Sequence, residues 1–251
     1  AQPTDTDSPE DRVARELKML AGQLTDPSRT DKTKFEAAEL LLIRADARAA
    51  EILLGFLSPQ VPPNPRAQIA VAEAIARAGT GRKEFVEPLM AMLTGADETV
   101  RAPAARALAT YKDQAVLRKL IEIARSDKQD KAVRLATISA FRQVLDKRTL
   151  GVLVSLLDDS DADISAAAGD TLAKITNISA FRTNKELAKK WLRDWGSKKQ
   201  SVLIAQLADS LARANSALET QNEILRKRLR TSLEDLYAAR PAELRETMLV
   251  S

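Results

Sequence analysis

The residues best suited to chemistry are four aspartates: Asp159, Asp161, Asp163 and Asp170 occupy the first, third, fifth and twelfth positions of a calcium-binding loop. Carboxylates at that spacing can surround a calcium ion. The sixth position of such a loop turns sharply and needs glycine, but here it is Ile164, and Asp170 falls inside an apolar-periodic helix. Helix capping and a turn account for these aspartates without a metal.

The chain contains neither histidine nor cysteine. Thiol nucleophiles, imidazole bases, Ser-His-Asp triads and the usual zinc, copper and haem sites are therefore excluded. No cofactor, metal or catalytic residue is expected, and the protein reads as a non-enzyme. GTGRK at 79–83 lacks both the spacing and the preceding strand of a phosphate-binding loop and reads as a turn between helices. Asn177-Ile178-Ser179 is a glycosylation sequon that matters only in a eukaryotic secretory setting.

Two basic runs remain, Lys185, Lys189, Lys190 and Arg193, and then Arg226, Lys227, Arg228 and Arg230. Each could contact nucleic acid or anionic lipid, although a solvated helix face is the simpler reading. The 39 basic and 35 acidic residues are interspersed, and the net charge of +4 is small for a dedicated nucleic-acid protein.

The elements that must position these residues are helical. With 8 glycines, 4% aromatics and abundant Ala, Leu, Lys, Arg and Glu, the composition predicts an all-α chain. No apolar run approaches the roughly 18 residues of a membrane span. Absence of cysteine leaves the redox compartment open. The Ala-Gln start fits signal-peptide cleavage as well as a trimmed chain, so an extracytoplasmic location stands level with a cytoplasmic one.

Residues 1–30 read as a disordered lead and a capping helix, with Ser8 as N-cap, Pro9 at the first helical position and Glu10 and Asp11 in the first turn. A repeat follows, anchored at Thr33, Ala67, Val100, Val133 and Ile164. Each anchor opens a first helix: TKFEAAELL, AQIAVAEAI, VRAPAARAL, VRLATISAF and ISAAAGDTL. Ala37 and Ala38, Ala104 and Ala105, and Ala168 and Gly169 are small enough to let neighbouring helices approach. A second helix then carries apolar residues at three and four spacing, as in Leu117, Leu120, Ile121 and Ala124. Each hairpin needs a neighbour to bury its other stripe, so the hairpins must stack. Pro103 is expected in the first turn of its helix, and Pro88 is expected to kink a second helix.

DETVR at 97–101, DKAVR at 130–134 and the degenerate DADIS at 161–165 each precede or open a first helix. This pattern resembles the HEAT repeat in its short bacterial form. The resemblance implies an armadillo-like α-solenoid (α-α superhelix) of about five helical hairpins over residues 31–196. It also implies a ladder between units, made by an aspartate in the turn and an arginine early in the first helix. Asp97, Arg101, Asp130 and Arg134 match that ladder; Asp161 keeps the acid, Ser165 loses the base, and Lys34 and Gln68 depart further. The implied function is a non-catalytic scaffold binding a protein partner in a groove lined by second helices. Candidate groove residues are Lys83, Glu87, Arg118, Lys119, Glu122, Lys147 and Arg148. A HEAT-like nucleic-acid-binding or DNA-repair protein with a basic concave groove is the alternative, and an enzyme accessory subunit is a third. Trp191 and Trp195, four apart near the end of the array, read as an aromatic cap or a docking site.

Residues 197–240 read as a long helix. A heptad frame puts Leu211, Leu218 and Leu225 at d, and Ala208, Asn215, Asn222, Leu229 and Leu236 at a, with Ser232 breaking the d row. Leucine at d with asparagine at a favours a parallel homodimer. A helix packed along its own solenoid competes with that reading. Residues 241–251 read as the opening of a further helical module or a tail.

Overall fold

In a computed structural model, the structure describes residues 8–44, 46–58, 63–79, 81–144, 146–196 and 198–238. The expected segments 1–7 and 241–251 lie outside that set. The chain divides into two compact units, the boundary falling between Ser197 and Lys198.

Among the described residues every regular element of the first unit is a helix. A lead helix α1 (Pro9–Thr25) precedes five hairpins. These are α2 (Asp31–Arg44) with α3 (Ala47–Leu57), α4 (Pro65–Ala78) with α5 (Val86–Thr94), and α6 (Glu98–Ala109) with α7 (Gln114–Arg125). The last two are α8 (Lys131–Ala140) with α9 (Lys147–Leu156), and α10 (Ala162–Thr176) with α11 (Lys185–Gly196). The expected all-α solenoid of helical hairpins is what forms.

Helix starts are written into the sequence. Ser8, Asp46, Asn64, Asp97, Asp113, Asp130, Asp146 and Asp161 each accept a backbone N–H two or three residues onward. Each cap satisfies donors that the helix itself leaves free. The first helices α2, α4, α6, α8 and α10 pack in sequence, each on the next. Ala37, Ala38, Ala67, Ala104, Ala105 and Ala168 are fully buried, so alanine is where backbones come close.

The prolines exchange the roles expected of them. Pro103 lies inside α6, in its second turn, where the missing N–H removes a bond to the Thr99 carbonyl. Pro88 is the third residue of α5, because residues 83–85 form a 3-10 turn and the α-helix begins only at Val86. Its missing donor therefore costs nothing. Similar short turns at Phe141–Gln143 and Ser179–Arg182 follow other first helices, and Phe85, Phe141 and Phe181 are each buried within them.

The second unit contains α12 (Gln200–Ala238), 39 residues and about 58 Å long at 1.5 Å per residue. The side chain of Leu236 lies outside the described set. No helix among the described residues is long and apolar enough to cross a membrane.

Candidate interaction surface

In four of the five units the residue one step after the repeat anchor places a polar side chain on the end of the preceding helix. Arg101 donates from Nε and a terminal nitrogen to the Gly95 carbonyl at 3.1 and 3.0 Å, just beyond α5. Arg134 donates to the Ala124 carbonyl of α7 at 3.1 Å, and Ser165 donates to the Leu157 carbonyl after α9 at 2.7 Å. Lys34, 1% exposed, donates to the carbonyls of Leu24 and, at 2.8 Å, Asp26 at the end of α1. Cations suit helix C-termini, where carbonyls lack partners and the dipole is negative. Burial and then the Arg66 charge pull the Lys34 pKa below its ordinary value. Lys34 thus performs the arginine's task despite its different type. Its position one step after Thr33 was the signal for this.

The arginines also reach forward. Arg101 meets Asp130 of the next unit at 3.3 Å, with Asp130 60% exposed. Arg134 pairs with Asp159, both nearly buried. Asp159 therefore replaces Asp161 as the partner expected for Arg134. Asp161 instead caps α10 and pairs with Lys131 at 2.9 Å, while Asp163 pairs with the same lysine at 2.5 Å. Asp97 also differs from expectation. It caps α6 through the Thr99 amide and hydroxyl, at 2.9 and 2.6 Å, because the residue one step after the preceding anchor is the uncharged Gln68. Between the first two hairpins the rung is Arg66, which holds Asp31 at 2.8 Å and the carbonyls of Pro27 and Arg29.

Asp170, the last aspartate of the calcium-loop spacing, pairs with Lys174 and Arg182. All four aspartates thus face cations of the chain itself. Among the described residues no group of three or more acidic side chains is gathered as ligands for a metal.

The second helices bring part of the expected groove together. Lys119 of α7 reaches Glu87 of α5 at 2.9 Å, both exposed. Beside that bridge a cavity of about 270 Å³ is lined by Met90, Lys119, Glu122, Ile123, Ser126 and Gln129. Lys83 and Arg118 are exposed near the starts of their helices. Arg148 is turned onto its own helix cap, binding both oxygens of Asp146 at 3.0 and 2.8 Å, and Lys147 beside it is half-buried. Arg148 therefore does not join the bridge.

At the far end of the array Trp191 lies 5.6 Å from the buried Phe181 and 6.5 Å from Trp195, centroid to centroid. Phe181 was missed as the anchor of this stack, since its turn is lengthened relative to the other units. Within the neighbouring basic run, Asp158 takes Lys189 at 2.9 Å and Lys185 at 3.7 Å. Two lysines of that run thus share one carboxylate.

A family model described as HEAT repeats matches residues 57–130, the span from the end of α3 to the Asp130 cap. Over that span the chain is similar to HEAT repeats. No curated protein matches it. A crystal structure of an engineered protein is 24% identical, covering 79% of this chain and 96% of that one, with a TM-score of 0.33. HEAT repeats commonly mediate protein interactions and are generally non-catalytic scaffolding.

Proposed function

We propose that the protein is a scaffold that binds a protein partner along the α5–α7 face and self-associates through α12. The observation that supports the first part most directly is the notch beside the Glu87–Lys119 bridge. Its lining combines the apolar Met90 and Ile123 with charges of both signs, Lys119 and Glu122. Apolar contact area flanked by polar groups suits a protein-binding patch. Self-association is supported by the leucines of α12: Leu211, Leu218, Leu225 and Leu229 are between 42% and 61% exposed.

Affinity capture with the wild type and with Lys119→Glu/Glu122→Lys tests the first part. A protein enriched by the wild type should be lost by the variant while the helical circular dichroism stays unchanged. Identical captured sets would remove this face from the interaction. Sedimentation of the full chain beside one ending at Gly196 tests the second part. Only the full chain should associate, and two monomers would refute it.

A further inference from the structure

The orientation of the α12 pair is a separate question that rests on the self-association just proposed. We propose that α12 pairs antiparallel with a second copy of the chain, about a two-fold axis lying between Glu223 and Ile224. At 3.6 residues per turn, Leu211, Leu218, Leu225 and Leu229 fall on one stripe, with Asn215 and Asn222 along its margin. Glu219 and Arg226 each follow a leucine by one residue and so lie on the same flank of the stripe. Ala214, Gln221 and Arg228 lie on the other flank. Glu219 and Arg226 are exposed and enter no ion pair among the described residues.

In a parallel pair each flank faces the partner's opposite flank. Glu219 would then face Ala214 of the second copy, and Arg226 would face Gln221. Neither charge would meet its opposite. The basic run Arg226, Lys227, Arg228 and Arg230 would also lie beside its own duplicate, at a cost in like-charge repulsion. In an antiparallel pair like flanks meet, so Glu219 faces Arg226 of the second copy, and the two-fold makes that pair twice. The basic run then lies beside Glu219 and Glu223.

The stripe itself agrees. About this axis Leu218 packs on Leu229, and Asn215 comes opposite Ser232, which gives the interruption of the leucine row a polar partner. The two Asn222 side chains sit three residues apart, about 4.5 Å along the axis, within reach of each other's amides. Paired asparagines alone would equally suit a parallel dimer. The flank charges are what distinguish the two.

The chain has no cysteine, so Leu218→Cys and Leu229→Cys each introduce a single thiol. Full-length chains, separately and mixed, are oxidised mildly and their association is followed by sedimentation. The expected product is a disulfide joining Cys at 218 of one chain to Cys at 229 of the other, with neither variant cross-linking to itself. Self-cross-linking of the Leu218→Cys variant, or a dimer that cross-links in no mixture, overturns the antiparallel arrangement. A chain that stays monomeric at every concentration overturns the self-association instead. As an independent reading, Glu219→Arg should weaken the dimer about fivefold and Glu219→Arg/Arg226→Glu should restore it. An unaltered dimer in Glu219→Arg counts against the pairing.

Discussion

Arg134 binds a helix-terminal carbonyl and a nearly buried carboxylate at once, whereas Arg101 makes the same two kinds of contact with a carboxylate that is 60% exposed. Removing one member of a buried pair strands the other charge, while a solvated partner is simply rehydrated. Arg134→Met should therefore destabilise by about 3 kcal/mol and Arg101→Met by about 1–2 kcal/mol, read from urea midpoints. Equal losses would mean that the carbonyl contact alone carries the energy. The choice of Asp159 over Asp161 was not legible in the sequence. Both precede the helix, and only the backbone turn decides which one faces Arg134 and which one caps. The cap aspartates and the lysine-paired Asp158 also set an acid limit. The Asp46 carboxyl is held below its ordinary pKa by the Ala49 amide, Asp97 by the Thr99 hydroxyl, Asp146 by Arg148 and Asp158 by Lys189. A lowered folded pKa means that the unfolded chain takes up protons first as pH falls. Stability should be level from about pH 8 to 5, where no histidine titrates, and fall below the ordinary aspartate value of about 3.9. A urea midpoint that slopes through pH 6–7 would contradict this.

Two helical glycines show how far alanine-sized spacing can be trusted. A Cβ built on Gly169 of α10 would lie 3.2 Å from the Phe181 carbonyl oxygen and 3.3 Å from the Arg182 Cα, backbone that has little room to move. One built on Gly151 of α9 meets nothing within 4 Å. Helix propensity favours alanine at both by about 1 kcal/mol. Gly151→Ala should accordingly stabilise by up to about that amount, while Gly169→Ala should destabilise by about 1 kcal/mol as crowding outweighs propensity. Thermal melts check both, and stabilisation at Gly169 would show that the Ser179–Arg182 turn yields. The small-residue register announced the close approach at Gly169, but the sequence did not disclose that a 3-10 turn, rather than a neighbouring helix, fills the space. Pro88 was misplaced for a related reason, since the 3-10 turn before Val86 displaced the start of α5 by three residues, whereas α6 does start just after Asp97 and Pro103 falls one turn further in. Pro103→Ala should raise stability by about 1 kcal/mol, the regained hydrogen bond exceeding the lost chain restriction, and Pro88→Ala should leave it nearly unchanged.

At the scale of the molecule, the array was legible because stacking repeats one physical problem every 33 residues or so. The same small, apolar and capping residues then recur in the sequence. The partner face was not legible in full, because nothing in sequence separates Lys119, which bridges to Glu87, from Arg148, which folds onto its own cap. A solenoid's stability is a sum over units and their neighbour contacts, so damage at one end should stay there. Trp191 joins Phe181 to Trp195 within the last hairpin. Trp191→Ala should lower hydrogen-exchange protection in α10 and α11 by about 2 kcal/mol and leave α2, α4 and α6 as they were. Equal loss in every helix would mean that the array unfolds as one block. If protection stays unchanged while partner capture is lost, the tryptophans are a docking site and not a cap. The two readings of Trp191 and Trp195 thus differ in a measurable way, because a cap acts on its own hairpin and a docking residue acts only on what binds.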